Sequence, residues 1–477
     1  MVVVLAVDVG STLAKALFVG EDGRQVGPVL RRPTPIGHEG VADVEVLADG
    51  VDALIDDVVR DPAARPDAVA LSCAWHTLVG VDAGGRPTTE LTTWLDGRAG
   101  PEASALRAAL TDAEDTRRRT GAPIHPSLPP ARLAWFRHHR PEAFAATRRW
   151  CSLPEVLAGR WFGAPAGPSP SIASGSGLYD QRRRAWDDEL LAATGVARDA
   201  LVAVEDVPRD RLSTDYRSRW PLLADVPWFP AVGDGAAAVV GSRCEGPDRA
   251  ALTVGTSAAV RVLTSVQTRL ARPLPAALFG YLLDGERAVV GGARSNAGNL
   301  VAWAGEVLRL GAGDPVARAT AGRDPGSHGL DVDSSLVTER SPAWPLEAGG
   351  RVTGLRRTTA AVDVVQALVE DAALGIASAV EALEEWAGRR ALVLGGGAGG
   401  SAGWRRLLAD ALDRPLVVSP VLEASAVGAA LQVLGRLGVS PPTGAADLEV
   451  VAPDPDRSAA FARLKERHSA FAAFLGT

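Results

Sequence analysis

Cysteine is scarce in this chain of 477 residues. The three cysteines are Cys73, Cys151 and Cys244, and no two of them have the CxxC spacing of a redox or thiolate metal motif. The sequence therefore predicts neither a disulfide framework nor a cysteine metal site, and it suits a reducing cytoplasm.

Long apolar runs and basic runs are also missing. No stretch of about 18 apolar residues occurs, so no membrane-spanning helix is predicted. The opening MVVVLAVDVGS reaches Asp8 without a basic segment, which is unlike a signal peptide. No run of Lys or Arg is long enough to follow a phosphate backbone and the formal net charge is −7, which argues against nucleic acid. We therefore expect a cytoplasmic protein without nucleic-acid or membrane partners.

Lysine is limited to Lys15 and Lys465, although arginine is abundant. The phosphate-binding sequence GxxxxGK[ST] is absent, so any nucleotide phosphates must be held by other means. A lysine that remains in such an arginine-rich chain either has a chemical role or is there by chance, and the sequence does not decide between the two.

The length of the chain and its mixture of predicted helices and strands indicate two α/β domains. A chain of this length exceeds what one core usually serves, and 47% hydrophobic with 22% charged residues is ordinary for a globular protein. Gly and Pro interrupt the pattern at 244–248, so we predict domains at 1–244 and 245–477. Predicted helices and strands outside the motifs are helices at 51–59, 131–137, 185–194, 362–386 and 404–412, and a strand at 391–394.

Two segments have the pattern of strand, glycine turn and strand. The first runs from Val2 through a turn at 8–12 to Val19, and the second from Ala250 through a turn at 255–257 to Leu263. When Gly10 is aligned with Gly255, hydroxyl residues follow in both. A duplicated hairpin would hold a phosphate chain from both sides of a cleft, because glycine admits close backbone approach and amides and hydroxyls donate to phosphate. Two unrelated glycine turns are the alternative.

The first hairpin carries polar side chains suited to a bound nucleotide. Asp8 at the end of its first strand would hold Mg²⁺ through water, and Ser11, Thr12 and Lys15 line the turn. An ordinary turn aspartate is the alternative for Asp8.

A second carboxylate, Asp234, stands between Gly233 and Gly235 ahead of a run of alanines. A carboxylate without bulky neighbours can be approached by a substrate hydroxyl, although a helix N-cap would use the same residue.

The Gly-rich stretch 395–403 follows a buried strand and opens a helix, where backbone amides can receive a nucleotide. That signal is weak alone.

Taken in order, these segments resemble the FGGY family of carbohydrate kinases over nearly the whole chain. The matching segments are DVGST (8–12), WLDGR (94–98), IASGSGL (172–178), GDGA (233–236), VGTS (254–257), ERSP (339–342), LGGG (394–397) and EASAVGAA (423–430).

The resemblance implies two actin-like (ribonuclease H-like) ATPase domains flanking a cleft, with ATP and Mg²⁺ as cofactors. Domain 1–244 would carry the sugar side and the first phosphate hairpin, and domain 245–477 the second hairpin and the adenosine side. Asp234 would be the catalytic base. The residues implied at the nucleotide are Gly255 and Thr256 at the β- and γ-phosphates, with Gly298, Gly397 and Ser401 near the rest. Asparagine often replaces Ser401 in relatives.

Within the family the sequence is most similar to gluconokinases, through GTSAAVR (255–261), LFGY (278–281) and GGARSNAG (291–298). A gluconate carboxylate that enters a closing cleft must meet a cation or several donors, since an unpaired buried charge is costly. The candidate partners are Arg261, Arg294 and His76.

Other sugar-side candidates are Trp75, beside His76, and Asp96. Trp75-His76-Thr77 stands where relatives usually show Met-His-Ser, which makes the pocket wall bulkier. His76 is alternatively a core histidine, Trp75 a core residue, and Asp96 the partner of Arg98 in a structural ion pair.

We therefore predict an ATP-dependent kinase of a small sugar or sugar acid, with phosphorylation of the 6-hydroxyl of D-gluconate as the first hypothesis. The alternatives are a kinase of a neutral sugar or polyol such as xylulose, ribulose or erythritol, a sugar or nucleotide sensor on the same fold, and a chaperone-type ATPase. A homodimer is left open.

Overall fold

The computed structural model describes residues 2–60, 65–441 and 448–475. A large β-sheet lies in each half of the chain, with helices packed on it. Within these ranges no helix has the length and apolar character needed to cross a bilayer.

The first half contains the strands and helices up to the helix that ends at Gly241. Its strands are β1 (Val3–Val9), β2 (Leu13–Gly20), β3 (Gln25–Pro33), β4 (Val41–Ala42), β5 (Ala68–Cys73), β6 (Val79–Val81), β7 (Leu91–Thr92), β8 (Arg149–Cys151), β9 (Tyr179–Asp180), β10 (Ala185–Trp186) and β11 (Val232–Gly233). Its helices are α1 (Val44–Val59), α2 (Gly100–Ala109), α3 (Ala113–Thr120), α4 (Pro129–His139), α5 (Pro141–Ala146), α6 (Leu153–Phe162), α7 (Pro170–Gly175), α8 (Asp188–Thr194), α9 (Thr214–Arg219) and α10 (Asp234–Gly241).

The second half begins with the second predicted hairpin. Its strands are β12 (Arg249–Val254), β13 (Ala258–Ser265), β14 (Phe279–Leu282), β15 (Arg287–Arg294), β16 (Asp331–Asp333), β17 (Arg351–Thr353), β18 (Ala391–Gly395), β19 (Leu416–Val418) and β20 (Val450–Val451). Its helices are α11 (Val266–Ala271), α12 (Gly298–Val307), α13 (Pro315–Thr320), α14 (Ala361–Ala387), α15 (Ala402–Leu412), α16 (Ala424–Arg436) and α17 (Pro455–Leu475).

The two large sheets repeat one topology. The first has the order β11-β5-β1-β2-β3 and the second β14-β15-β13-β12-β18-β19-β20. In each, the predicted hairpin is antiparallel (β1 with β2, β12 with β13), and its first strand pairs in parallel with a later strand, β5 or β18. Both hairpin predictions and the α/β fold class are confirmed, and the shared topology favours a duplication over two unrelated turns.

The first strand of each hairpin is buried because helices cover both faces of each sheet. Six of the seven residues of β1 are buried, which explains its continuous apolar run Val4 to Val7 in place of an alternating pattern. The run ends at Asp8, the penultimate residue of β1, so a polar group lies near the end of the buried strand.

One predicted helix begins later than expected. Residues 185–194 were predicted as helical throughout, but Ala185 and Trp186 form β10 against β9. The helix α8 begins at Asp188 because the side chain of Asp187 accepts a hydrogen bond from the Leu190 amide and caps it. The other predicted helices lie within α1, α4, α14 and α15.

The C-terminal half returns to the first sheet through α16, which packs on α10 and is buried in the same core as β1 and β5. The two helices approach closely at glycines: a Cβ on Gly241 would overlap the Ala424 carbonyl, and one on Gly428 the Ala237 carbonyl. The segment between α10 and β12 contains the predicted domain boundary, which stays a prediction, and α16 joins the two halves.

Candidate active site

The turns of the two hairpins face each other. The hydroxyl of Thr12, between β1 and β2, lies 3.1 Å from the hydroxyl of Thr256, between β12 and β13. Ser11 is partly exposed in the first turn. Hydroxyl groups from both halves are thus brought to one place, as the duplicated-hairpin hypothesis requires.

The second hairpin is held by the start of α12. The amides of Gly298 and Asn299 donate to the carbonyls of Gly255 and Thr256, both at 3.0 Å. A Cβ on Gly298 would overlap the Gly255 carbonyl, so glycine is required there for packing. Gly298 therefore positions the hairpin, and a direct nucleotide contact from it stays a prediction.

The glycine-rich segment after β18 leaves open space beside the second hairpin. A Cβ on Gly397 would meet no atom within 4 Å, and the same holds for Gly255. Gly396, by contrast, has φ of +77° and lies against the Val254 backbone, where only glycine fits easily. The space at Gly397 suits a ligand.

Ser401 has a structural use in this structure. Its hydroxyl donates to Asp314 Oδ2 at 2.6 Å and accepts from the Trp404 amide at 3.1 Å, which caps α15. The predicted contact between Ser401 and the nucleotide would need a rearrangement of this cap.

Open space at Gly397 gives a direct test of the nucleotide prediction. A Gly397→Val variant should fold, because the new side chain meets no atom within 4 Å of its Cβ. We expect it to raise KM for ATP by about tenfold or more, while KM for the sugar changes little. Gly285→Val, at another open position, is the matched control. An unchanged KM for ATP in steady-state kinetics would remove Gly397 from the nucleotide site.

Asp8 is a buried carboxylate whose negative charge is only partly compensated by its neighbours. It is 4% exposed, accepts a hydrogen bond from Ser72 Oγ at 2.7 Å, and lies 4.0 Å from the ammonium group of Lys15. Burial raises its pKa to about 6, although Lys15 and Ser72 oppose the rise. Such a group gains from a further cation, which fits a metal role. The Nζ atom of Lys15 forms an ion pair with Glu423 Oε2 at 2.7 Å.

Asp234 opens α10, directly after β11, and is partly buried. Its glycine neighbours make room for an indole: a Cβ on Gly233 or Gly235 would overlap the ring of Trp75. The Trp75 indole in turn donates to the Ser171 carbonyl at 3.0 Å. Trp75 therefore packs as a core residue that fixes the backbone on both sides of the carboxylate.

The charge state of Asp234 is set by opposing effects. Burial raises its pKa, while the positive charge of Arg261 and hydrogen bonds from the Gly235 and Trp75 backbone oppose the rise. Gly235 donates to Oδ1 at 2.7 Å. The result is a carboxylate with raised proton affinity, which suits a general base.

Two guanidinium groups lie near Asp234. Arg261, on β13, has a buried Nε without a hydrogen-bond partner, and burial lowers its pKa to about 10. Arg340 lies over the ring of Trp94 at 4.7 Å and donates to Ser295 Oγ at 3.1 Å. Across the described ranges, neither guanidinium forms an ion pair within 4.0 Å.

Arg340 was missed by the sequence analysis, although it belongs to the segment ERSP. Its charge acts on His76, Asp234 and Tyr281, so it is central to the electrostatics of the site. Residue type and spacing do not reveal this, because Arg340 is more than 100 positions from Asp234.

Arg294 is already paired. Its Nε lies 3.2 Å from Glu339 Oε2, and its Nη2 lies 3.9 Å from Asp371 Oδ2. Two carboxylates thus compensate its charge, so Arg294 is a weaker candidate than Arg261 for binding a substrate carboxylate.

His76 has a constrained backbone and a neutral ring. Its φ is +65°, and its Nδ1 lies 2.5 Å from the Gly175 carbonyl. Burial lowers its pKa to about 3, so the neutral ring donates through Nδ1 and keeps Nε2 as an acceptor. The Tyr281 ring centre lies 5.4 Å away. The arrangement allows both a core role and a bond from a substrate hydroxyl.

Asp96 is held by Arg98. Both carboxylate oxygens accept from the guanidinium at 2.9 Å, and Asp96 is 1% exposed. Arg98 lies over the Trp135 ring at 4.1 Å. The geometry matches the structural ion pair that was one of the two interpretations of Asp96, and a sugar contact stays a prediction.

Comparisons with known proteins agree with this arrangement. Models of the N- and C-terminal domains of the FGGY family of carbohydrate kinases match residues 3–241 and 250–434. A gluconokinase of Bacillus licheniformis is 25% identical over 457 residues, which cover 91% of this chain and 87% of that protein.

Two solved structures from Lactobacillus acidophilus have a similar fold. A ligand-bound xylulose kinase has a TM-score of 0.85 and covers 100% of this chain and 99% of its own; a gluconate kinase has a TM-score of 0.84 and covers 99% and 98%. Both are 23% identical to this chain, so they show the fold without choosing a substrate.

Proposed function

This chain belongs to the FGGY family of carbohydrate kinases, and from that premise we propose that it phosphorylates the 6-hydroxyl of D-gluconate. Members of this family are ATP-dependent sugar kinases with the two-domain actin-like fold. Gluconate is the finer choice, and it rests on the charge of the site.

The observation that carries this choice is the pair Arg261 and Arg340. Among the described residues, neither has an ion-pair partner within 4.0 Å. Burial lowers the pKa of each guanidinium, and the negative charge of the nearby Asp234 opposes this only in part. A buried guanidinium is costly unless a carboxylate or similar acceptor pairs with it, and Arg holds a carboxylate through two parallel hydrogen bonds. An anionic substrate supplies a charged carboxylate, whereas a neutral sugar offers only uncharged hydroxyl acceptors.

Asp234 is proposed as the base that orients the attacking hydroxyl and accepts its proton. Burial raises its pKa and with it the affinity of the carboxylate for that proton, while the positive charge of Arg261 opposes the rise. Trp75, packed against Gly233 and Gly235, holds the carboxylate in place. When bound, MgATP supplies the phosphoryl group and neutralises the charge that develops on the phosphate oxygens.

The residues of the two hairpins fit that cofactor. Asp8 would hold the metal through water, and its raised pKa indicates a carboxylate that gains from a nearby cation. Thr12 and Thr256 would donate hydroxyls to phosphate oxygens, since their side chains meet between the two turns.

The electrostatics of Asp8 predict a pH effect of Lys15. Lys15 lowers the pKa of Asp8, so Lys15→Met should raise it above about 6. The acid limb of kcat/KM then moves to higher pH, because Asp8 must be ionised to hold the metal. Lys465→Met, at the other lysine, is the control and should leave the profile unchanged. A wild-type acid limb in Lys15→Met would contradict the role of Asp8.

The proposed substrate is tested by ADP release from the purified protein with a panel of gluconate, xylulose, ribulose, erythritol and glycerol. We expect the highest kcat/KM with gluconate. Preference for a neutral ketose would favour the alternative of another FGGY kinase substrate and would overturn the gluconate proposal. A homodimer and a cytoplasmic location stay predictions.

A further inference from the structure

A cluster of three potential metal ligands lies on the surface of the first half, outside the proposed active site. It consists of Glu102 on α2 with His138 and His139 at the end of α4. One ligand atom from each residue lies within 4.8 Å of the other two. The His139 Nε2 atom is 2.8 Å, and the His138 Nδ1 atom 3.5 Å, from Glu102 Oε1.

Glu102 is the unusual member of the cluster. It is 7% exposed, and its buried Oε2 atom has no hydrogen-bond partner among the residues that the structure describes. An unsatisfied buried carboxylate oxygen carries a desolvation penalty, and polar neighbours or water usually satisfy it. A cation bound by both carboxylate oxygens would satisfy Oε2 together with Oε1, the oxygen that contacts the histidines.

The two histidines are placed to complete such a site. Their side chains are 76% and 46% exposed, so they can turn without disturbing the core. The His139 ring also stacks on Trp135 at 5.2 Å, which limits its orientation. In a tetrahedral zinc site the ligand atoms are about 3.3 Å apart, given bond lengths of about 2.0–2.2 Å. The observed distances need only small side-chain rotations to reach this.

We propose that Glu102, His138 and His139 form a binding site for a divalent transition metal, for which zinc suits the ligands best. Two imidazoles and a carboxylate are a known zinc ligand set, with a water in the fourth position. Mg²⁺, the metal proposed for the nucleotide, prefers oxygen ligands and does not suit imidazole. The bound ion would join α2 to α4 and stabilise their packing.

The test is a zinc titration of the full chain by calorimetry, after removal of any histidine tag and of chelators. We expect one zinc ion per chain at this site and a rise of a few degrees in Tm when zinc exceeds Kd about 100-fold. His138→Ala and Glu102→Gln should each weaken zinc binding by at least about tenfold, since even indirect partners of a metal contribute that much. His38→Ala, an exposed histidine outside the cluster, should bind zinc as the wild type does.

The His138→Ala variant makes the result decisive, because its exposed side chain can be removed without unfolding the chain. Zinc affinity equal to that of the wild type in His138→Ala and Glu102→Gln would overturn the proposal, as would failure of the wild type to bind zinc. In that case the cluster is only a hydrogen bond between Glu102 and His139. Mg²⁺ should not compete with zinc at this site, and displacement by millimolar Mg²⁺ would also contradict it.

Discussion

Replacing Asp234 by asparagine is expected to lower kcat by at least about 100-fold, the contribution typical of a general base. Asparagine keeps the size and the hydrogen bond from the Gly235 amide but cannot accept a proton. Nucleotide affinity should stay near that of the wild type, because no predicted phosphate contact involves Asp234. Steady-state ADP release and nucleotide titration measure the two quantities.

A surface carboxylate provides the control for this variant. Asp225→Asn removes an exposed partner of Arg217 and should leave kcat unchanged. If Asp234→Asn turned over at a rate near that of the wild type, Asp234 would not be the base. Loss of nucleotide binding in the variant would indicate a structural role instead.

Replacing Arg261 or Arg340 by methionine is expected to raise KM for gluconate by about 10- to 100-fold. This corresponds to the loss of one charge-assisted contact worth about 1.5–3 kcal/mol. Methionine keeps an apolar stem similar to that of arginine, so the packing around the stem is largely retained. KM for ATP should change much less, which separates the loss of a substrate contact from general damage.

The pH of this experiment matters for Arg261. Its charge lowers the pKa of Asp234, so Arg261→Met raises that pKa and moves the acid limb of kcat/KM to higher pH. Comparing KM on the pH plateau above the acid limb of each variant isolates the effect on substrate binding. Arg148→Met, at an exposed ion pair, is the control. Wild-type KM for gluconate in both cleft variants would remove the arginines as carboxylate partners.

The hairpins show what the sequence could predict. Each turn is coded locally, by a buried strand, a glycine and two hydroxyl residues, so the two strand pairs and their likeness followed from the residues. The packing between them did not: Gly298 supports Gly255, and Thr12 meets Thr256, through contacts between distant parts of the chain.

The pairing of charges in the cleft was also hard to predict, because it too depends on contacts between distant parts of the chain. Arg261 and Arg294 looked equivalent in the sequence, yet Arg294 is paired with Glu339 and Asp371 while Arg261 is not. Arg340 lies near Asp234 only because the second half folds back on the first. The pairing of a buried charge depends on tertiary contacts, which residue spacing does not encode.

The most direct test of the account compares gluconate with glucitol, the same carbon chain with a hydroxymethyl group in place of the carboxylate. The ratio of their kcat/KM values measures the contribution of the substrate charge alone. We predict a ratio of about 10 to 100 in favour of gluconate for the wild type, and a ratio near one for Arg261→Met combined with Arg340→Met. A wild-type ratio of one or below would contradict a site built for a sugar acid, while leaving the family assignment intact.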